Sequence, residues 1–357
     1  MPTTRACLNA IGTAVPDHDI HPAFLDWARA RIADPREARI FDRMAARSGI
    51  AHRWSVLPPA PGGGSPIEPG GFYACNPYPG TGERMGVYAH AAPELGIAAI
   101  SALGDRADLS RITHFVVASC TGFVAPGIDQ IIAARIGLPP SVERLLVGFM
   151  GCYAAIAALR SARHIVRSAP AARVLVLTVE LSTLHLQPAD GVEQLLALLQ
   201  FGDGAAAALV TSDAQGFAIE TPFATTLPDS ADLIRWDITD RGFAMHLSGE
   251  VPGRIAAGLA DPAFAAAVTG GRSAGAIDGW AVHAGGRSIL DSVERAFDLK
   301  PQALAESRGV LRDFGNMSSA TLMFVLARLL ERRVDKGVAL AFGPGLAAEG
   351  FGFGSVA

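Results

Sequence analysis

A chain of 357 residues, half of them hydrophobic and 18% charged, has ample material for a large core and fits one or two domains. A formal net charge of -4, a pI near 6.1 and the lack of any Lys/Arg-rich cluster exclude a polycationic nucleic-acid binder, so an anionic ligand must be met locally. Four scattered cysteines, Cys7, Cys75, Cys120 and Cys152, show neither CxxC nor Cys/His metal spacing, which argues for reduced thiols in the cytoplasm rather than a disulfide framework or a zinc site. The N-terminal stretch lacks the apolar core of a signal peptide, and no apolar run of membrane-spanning length follows, so no membrane partner is expected.

In chain order, residues 6–15 read as a strand and 21–32 as a helix opened by Pro22. Residues 35–49 form a second helix, on which Arg39, Arg43 and Arg47 recur every four residues along one face. Such a stripe is either a solvated surface or a landing strip for a phosphorylated carrier such as coenzyme A. The Pro/Gly-rich stretch 57–82 reads as a long surface excursion without chemistry, followed by a helix over 85–103. A buried strand over 113–118 ends in Ser119-Cys-Thr-Gly-Phe-Val-Ala-Pro-Gly, the polar strand end at which α/β proteins bind ligands.

The next strand, 145–149, leads into Gly151-Cys152-Tyr153 and an Ala-rich helix that closes near Pro170. A cysteine where the chain turns into a helix has first-turn N–H groups and the positive helix end beside its sulfur, which favours thiolate. Cys152 is the candidate nucleophile; the alternative is a small buried hydrophobe. Further strands are expected over 173–179 and 205–210, with Phe201-Gly-Asp-Gly as a glycine turn between. The turn at 212–216 divides the chain into halves, 1–213 and 214–357.

The second half repeats the style of the first. A strand region over 217–226 precedes a hairpin that turns at Asp240-Arg-Gly242. A strand at 279–282 runs into His283-Ala-Gly-Gly and a helix, and Asn316 follows a glycine before another apolar helix. The chain closes with a strand over 338–342 and a glycine-rich tail. Cys152, His283 and Asn316 thus stand at three loop-to-helix corners. Histidine can hold a cysteine as the thiolate of an ion pair, and Asn and His donors can stabilise a thioester oxyanion. Read singly, His283 could be a satisfied core histidine and Asn316 a helix N-cap.

Gly151-Cys-Tyr-Ala-Ala, His283-Ala-Gly-Gly-Arg-Ser-Ile-Leu-Asp, Gly315-Asn-Met-Ser-Ser-Ala-Thr, Phe201-Gly-Asp-Gly and Phe342-Gly-Pro-Gly resemble the type III polyketide synthases, the chalcone-synthase-like family, of a bacterial kind. The resemblance implies a thiolase-like five-layer αβαβα fold of two similar halves, in a homodimer. It implies that Cys152 takes a starter acyl group from acyl-CoA, and that His283 and Asn316 bind the thioester carbonyl of malonyl-CoA. Iterative decarboxylative Claisen condensation and closure to a pyrone or aromatic ring would follow, with no metal or redox cofactor and no acyl carrier protein. Phe201 matches a family phenylalanine at the cavity mouth, and Arg43 and Arg47 match positions that hold CoA phosphates; a third such position falls on Ile40.

Departures from the family pattern concern the cavity. Met245 stands for a second phenylalanine, Trp236 falls near a glycine that limits chain length, and Ser182 and His185 replace paired threonines. Cys120 occupies a position often held by cysteine in bacterial members, Thr121 and Ser318 are placed in the cavity with it, and Ala125 replaces a methionine that reaches into the partner. The alternative enzyme is a single-round ketoacyl-ACP synthase III-like condensing enzyme, which would require carrier protein; the alternative outside catalysis is a silent acyl-binding scaffold.

Overall fold

Apolar and β-branched runs bounded by glycine or polar turns become strands, and the computed structural model, which describes residues 4–189 and 191–356, joins most of them into one sheet. In chain order the strands are β1 (Cys7–Ala14), β2 (His18–Asp19), β3 (Trp54–Ser55), β4 (His114–Ser119), β5 (Glu143–Gly148), β6 (Val174–Leu181), β7 (Asp203–Thr211), β8 (Phe217–Thr226), β9 (Ile234–Thr239), β10 (Gly242–Leu247), β11 (Gly279–Val282), β12 (Gly337–Gly343) and β13 (Ala347–Ser355). Nine of them are ordered β11-β12-β13-β8-β1-β7-β6-β4-β5, while β2 pairs with β3 and β9 with β10.

That order contains a repeat. From β4 through β6 and β7 to β1 the pairings run parallel, antiparallel, antiparallel, and the same succession recurs from β11 through β12 and β13 to β8. The two runs meet at a short seam, where Cys7 and Leu8 of β1 face Ala218 and Phe217 of β8. Parallel pairing with β4 adds β5 at one end of the sheet.

Alternate residues of one strand serve different cores, as the period of two requires. Val174 and Val176 of β6 join a central core with Ala339 and Ala341 of β12, and the helices Ala154–Ser168 and Ser319–Leu329 fill it. Leu175 and Leu177 instead meet Tyr88, Ala92 and Leu95 of the helix Thr81–Ser101 on the outer side. Val338 and Leu340 face the helices Val251–Leu259 and Arg287–Ala296 on the other outer side. Helix, sheet, helix, sheet, helix is therefore the stacking, the thiolase-like five layers that the resemblance implies.

Two segments differ from the sequence-based expectation. The glycine-rich tail is β13, a strand inside the sheet between β12 and β8. Phe351 and Phe353 are buried at alternate positions, and a methyl on Gly350 would lie 2.2 Å from the Ala339 carbonyl, so glycine is what lets the strands approach. The helix expected from residue 85 begins at Thr81, because the Glu83 carboxylate turns back to accept from the Gly80 N–H at 2.7 Å and fixes the first turn earlier.

Candidate active site

The chain leaves β5 through Phe149 and Gly151, both at positive φ, and Cys152 sits in a single 3-10 turn, Gly151–Tyr153, that feeds the helix Ala154–Ser168. Only glycine fits at 151, since a methyl there would lie 2.4 Å from Pro344 in the loop after β12. Asn316 and Ser318 hydrogen-bond the Cys152 thiol, whose sulfur environment is nonetheless dominated by desolvation. Burial pushes the thiol up to about 11, the Glu180 carboxylate adds to that, and the two hydrogen bonds pull the other way without prevailing. Cys152 thus rests as a neutral thiol, not the thiolate expected from its place at a helix start.

His283 follows β11 directly, its N–H donating to Leu340 O at 2.8 Å. It is 1% exposed, yet neither ring nitrogen has a hydrogen-bond partner. Burial holds it neutral, with a pKa lowered to about 3. A satisfied core histidine would look different, since buried polar atoms are normally paired. Its neighbour Gly285 links it to Asn316: a methyl at 285 would lie 3.2 Å from His283 Nε2, and Asn316 Nδ2 donates to Gly285 O at 3.2 Å.

The Asn316 amide is oriented by its own loop. Its Oδ1 accepts from Ser318 N at 2.9 Å, an Asx turn rather than a helix N-cap, so the second Nδ2 donor is the one left for Cys152. Its backbone is clamped to the Phe201 loop, with Asn316 N donating to Gln200 O at 2.8 Å and Gly202 N donating to Asn316 O at 3.0 Å. Ser318 holds φ at 48°, a left-handed conformation unusual for serine and of the kind that gathers at functional sites.

Near Cys152 lies a residue that the sequence reading missed. Glu180, fully buried at the end of β6, accepts from Cys120 N at 3.0 Å, from Thr121 Oγ1 at 3.1 Å and from Ser319 Oγ. Burial pushes its carboxyl up to about 7 against those hydrogen bonds. The available signal was a lone acidic residue in a run that is otherwise apolar but for Thr178. Cys120 belongs to the same wall, its sulfur accepting from Gly151 N at 3.0 Å.

A cavity of about 530 Å³ is walled by Phe201, Ser182, His185, Trp236 and Met245. Ser65, Pro66, Ile67 and Tyr73 complete it, so the Pro/Gly-rich excursion, expected to carry no chemistry, shapes the cavity. His185 is a fixed wall: Nε2 donates to Thr121 O at 2.7 Å, Nδ1 accepts from Phe243 N at 3.0 Å, and the ring stacks on Phe243. Burial holds it neutral, with a pKa near 3. Trp236 reaches towards Cys120, its Nε1 donating to Cys120 O at 3.1 Å. Cys152, His283, Asn316, Cys120, Thr121 and Ser318 are not among these walls; Phe201 and Trp236 are the residues that join the cavity to them.

Arg53, also missed from sequence, braces the mouth. Its buried guanidinium donates through Nη1 to the carbonyls of Phe201 and Leu198 and through Nε to His21 Nδ1 at 2.9 Å, above the Phe24 ring. Arg43 and Arg47 lie exposed on the helix Pro35–Ser48. Arg47 lines a second cleft, of about 270 Å³, with Gln200, Arg287 and Ser288, whereas Arg43 does not. Among the described residues no helix is long and apolar enough to cross a membrane.

Residues 2–214 match the N-terminal domain of the chalcone and stilbene synthases and residues 218–357 the C-terminal domain. The alpha-pyrone synthesis polyketide synthase-like Pks18 of Mycobacterium tuberculosis is 32% identical over 99% of this chain and 92% of its own. Bisdemethoxycurcumin synthase of Oryza sativa is 36% identical over 76% of this chain and 73% of its own. Among solved structures, 1,3,6,8-tetrahydroxynaphthalene synthase from Streptomyces coelicolor superposes with a TM-score of 0.87 at 28% identity, covering 98% of this chain and 99% of that one. The type III domain of Steely1 from Dictyostelium gives 0.88 at 25% identity, covering 99% and 100%. With both domains matched along nearly its whole length, the chain belongs to the chalcone and stilbene synthase family, the type III polyketide synthases, which are condensing acyltransferases.

Proposed function

We propose that Cys152 is the acyl-accepting nucleophile and that His283 and Asn316 serve both its loading from acyl-CoA and its extension with malonyl-CoA. The observation that carries this reading is a buried histidine with two unpartnered ring nitrogens, linked through Gly285 to the amide that faces the thiol. Because thiol and imidazole both rest neutral, the Cys152 proton passes to His283 as a thioester arrives. The sulfur then attacks the thioester carbonyl, and CoA leaves with that proton. Malonyl-CoA next loses CO2, its thioester oxygen held by donors from His283 and Asn316, and the enolate carbon attacks the Cys152 thioester. The C–S bond to Cys152 breaks, and the lengthened chain stays on CoA for reloading.

Arg47 is suited to the CoA phosphates because its cleft adjoins Gln200, next to Phe201, with Arg43 further along the same helix. The reading includes a homodimer, for which the free edge of β5 is the support: it ends the sheet and exposes Leu145 and Leu146, with Phe123 also exposed. It includes direct use of CoA thioesters without carrier protein, metal or redox cofactor, in the cytoplasm. The names of the Mycobacterium and Streptomyces relatives favour a pyrone or a fused aromatic product. Purified protein incubated with a panel of acyl-CoA starters and labelled malonyl-CoA should yield labelled polyketides by mass spectrometry. No product from any starter while Cys152 still alkylates would sink this reading, and a single β-ketoacyl extension needing carrier protein would replace it with the ketoacyl-ACP synthase III-like one.

A further inference from the structure

Three arginines succeed one another along the helix that carries Cys152 at its start: Arg160, Arg163 and Arg167, spaced so that they share a face. The first finds a carboxylate, its Nη1 meeting Glu349 Oε2 of β13 at 2.6 Å. The next two do not. Arg163 is 7% exposed, and only its Nε is engaged, donating to Ile219 O of β8 at 3.1 Å. Among the described residues no carboxylate pairs with Arg163, Arg167 or Arg5.

These three guanidiniums line one cavity, of about 530 Å³, at the end of the helix remote from Cys152. Two carboxylates also line it among the described residues: Glu220, which pairs with Arg272 at 3.4 Å, and Asp335, which pairs with Arg333 at 2.8 Å. Burial, and then the charge of Arg167, disfavour the charged form of Arg163. The helix C-terminus offers about half a negative charge, too little for three guanidiniums. Among the described residues Arg163 has no counter-ion, and a bound anion would supply one.

We propose that this cavity binds a pyrophosphate-bearing small molecule, held by Arg163, Arg167 and Arg5, at a site separate from the acyl cavity. Guanidinium forks match phosphate oxygens in pairs, and adjacent arginines suit adjacent phosphates. The volume equals that of the acyl cavity, so an organic group has room beside the phosphates. Arg163 stands eleven positions after Cys152, about 16 Å along the helix axis, so the ligand does not touch the reacting atoms.

Calorimetric titration of the whole protein with inorganic pyrophosphate at constant ionic strength tests this directly. Saturable binding is expected, weakened at least about ten-fold in the Arg163→Gln/Arg167→Gln double variant, roughly the loss of one charge-assisted contact. Exposed Arg167→Gln alone, which leaves the core untouched, should weaken it several-fold, with circular dichroism confirming the fold. Arg47→Ala should leave it unchanged. Tighter binding of ADP than of pyrophosphate identifies a nucleotide as the natural occupant, and equal binding identifies free pyrophosphate. No saturable binding, or binding kept by the double variant and lost with Arg47→Ala, overturns the proposal.

Discussion

Arg53 Nη1 donates to the carbonyl of Phe201 at 2.9 Å, and through that bond it braces the loop to which the Asn316 backbone is hydrogen-bonded. Asn316 and Gln200 share a backbone hydrogen bond, so a shift of the Phe201 loop moves the Asn316 amide with it. Arg53→Met leaves the carbonyls of Leu198 and Phe201 without their donor and should cost about 2 kcal/mol or more in chemical denaturation. Malonyl-CoA decarboxylation should fall by up to about 10², as misplacement of a catalytic group by an ångström does. Arg53→Lys should recover part of both, and iodoacetamide labelling of Cys152 should persist, which separates loss of positioning from loss of fold.

The neutral resting state of Cys152 has a kinetic signature. With the thiol pushed up to about 11, alkylation of the free enzyme by iodoacetamide should climb with pH through 7 to 10 without levelling. A plateau below pH 8 would show instead a preformed thiolate and imidazolium.

Asn316→Ala removes the amide that meets Cys152 and the Gly285 carbonyl. If this amide is an oxyanion donor, steady-state polyketide formation should drop by about 10²–10³. A rate within a few-fold of the parent would reduce Asn316 to a loop brace.

Glu180 ties stability to pH. Its carboxyl is raised from 4.5 to about 7, so the folded protein holds this proton more tightly than the unfolded chain. The stabilising preference for the protonated form is full below about 4.5 and is lost as pH rises through 7. Glu180→Gln lacks that dependence, so its stability relative to the parent should rise between pH 4.5 and 7 by on the order of 3 kcal/mol. Paired denaturation curves across that range measure the difference and cancel the contributions of other groups.

Trp236 fills space between the acyl cavity and the Cys120 carbonyl. Trp236→Ala should lengthen the polyketides seen by mass spectrometry, whereas Trp236→Phe, which loses the hydrogen bond but keeps most of the bulk, should not. Equal product profiles for the two variants would remove Trp236 as a length determinant.

Much of this architecture is legible in the sequence where the apolar pattern is dense. Phe217–Thr226 and Gly279–Val282 end where turn residues end them, and the Asp240-Arg-Gly242 hairpin joins β9 to β10 as its turn chemistry implies. The strand β13 hid because glycines at 350, 352 and 354 mask the alternation of Phe351 with Phe353. Cys152, His283 and Asn316 stood out because each interrupts a glycine corner, whereas Arg53 and Glu180 act through partners from distant segments that no local pattern reveals. Their signal is a charge that must be buried, visible only once the layers close over it. The neutral thiol was likewise out of reach, since desolvation depends on which segments of the fold close around the sulfur.

The seam between the two halves is only two residue pairs long, yet the core between them is filled by one helix from each side. A chain cut in the turn at 212–216 would give one fragment holding Cys152 and another holding His283 and Asn316, each with an uncovered flank of its apolar helix. Neither fragment could work alone. Mixing them would make turnover itself a reporter of complementation, since the Asn316 amide meets the Cys152 thiol only when the pieces dock.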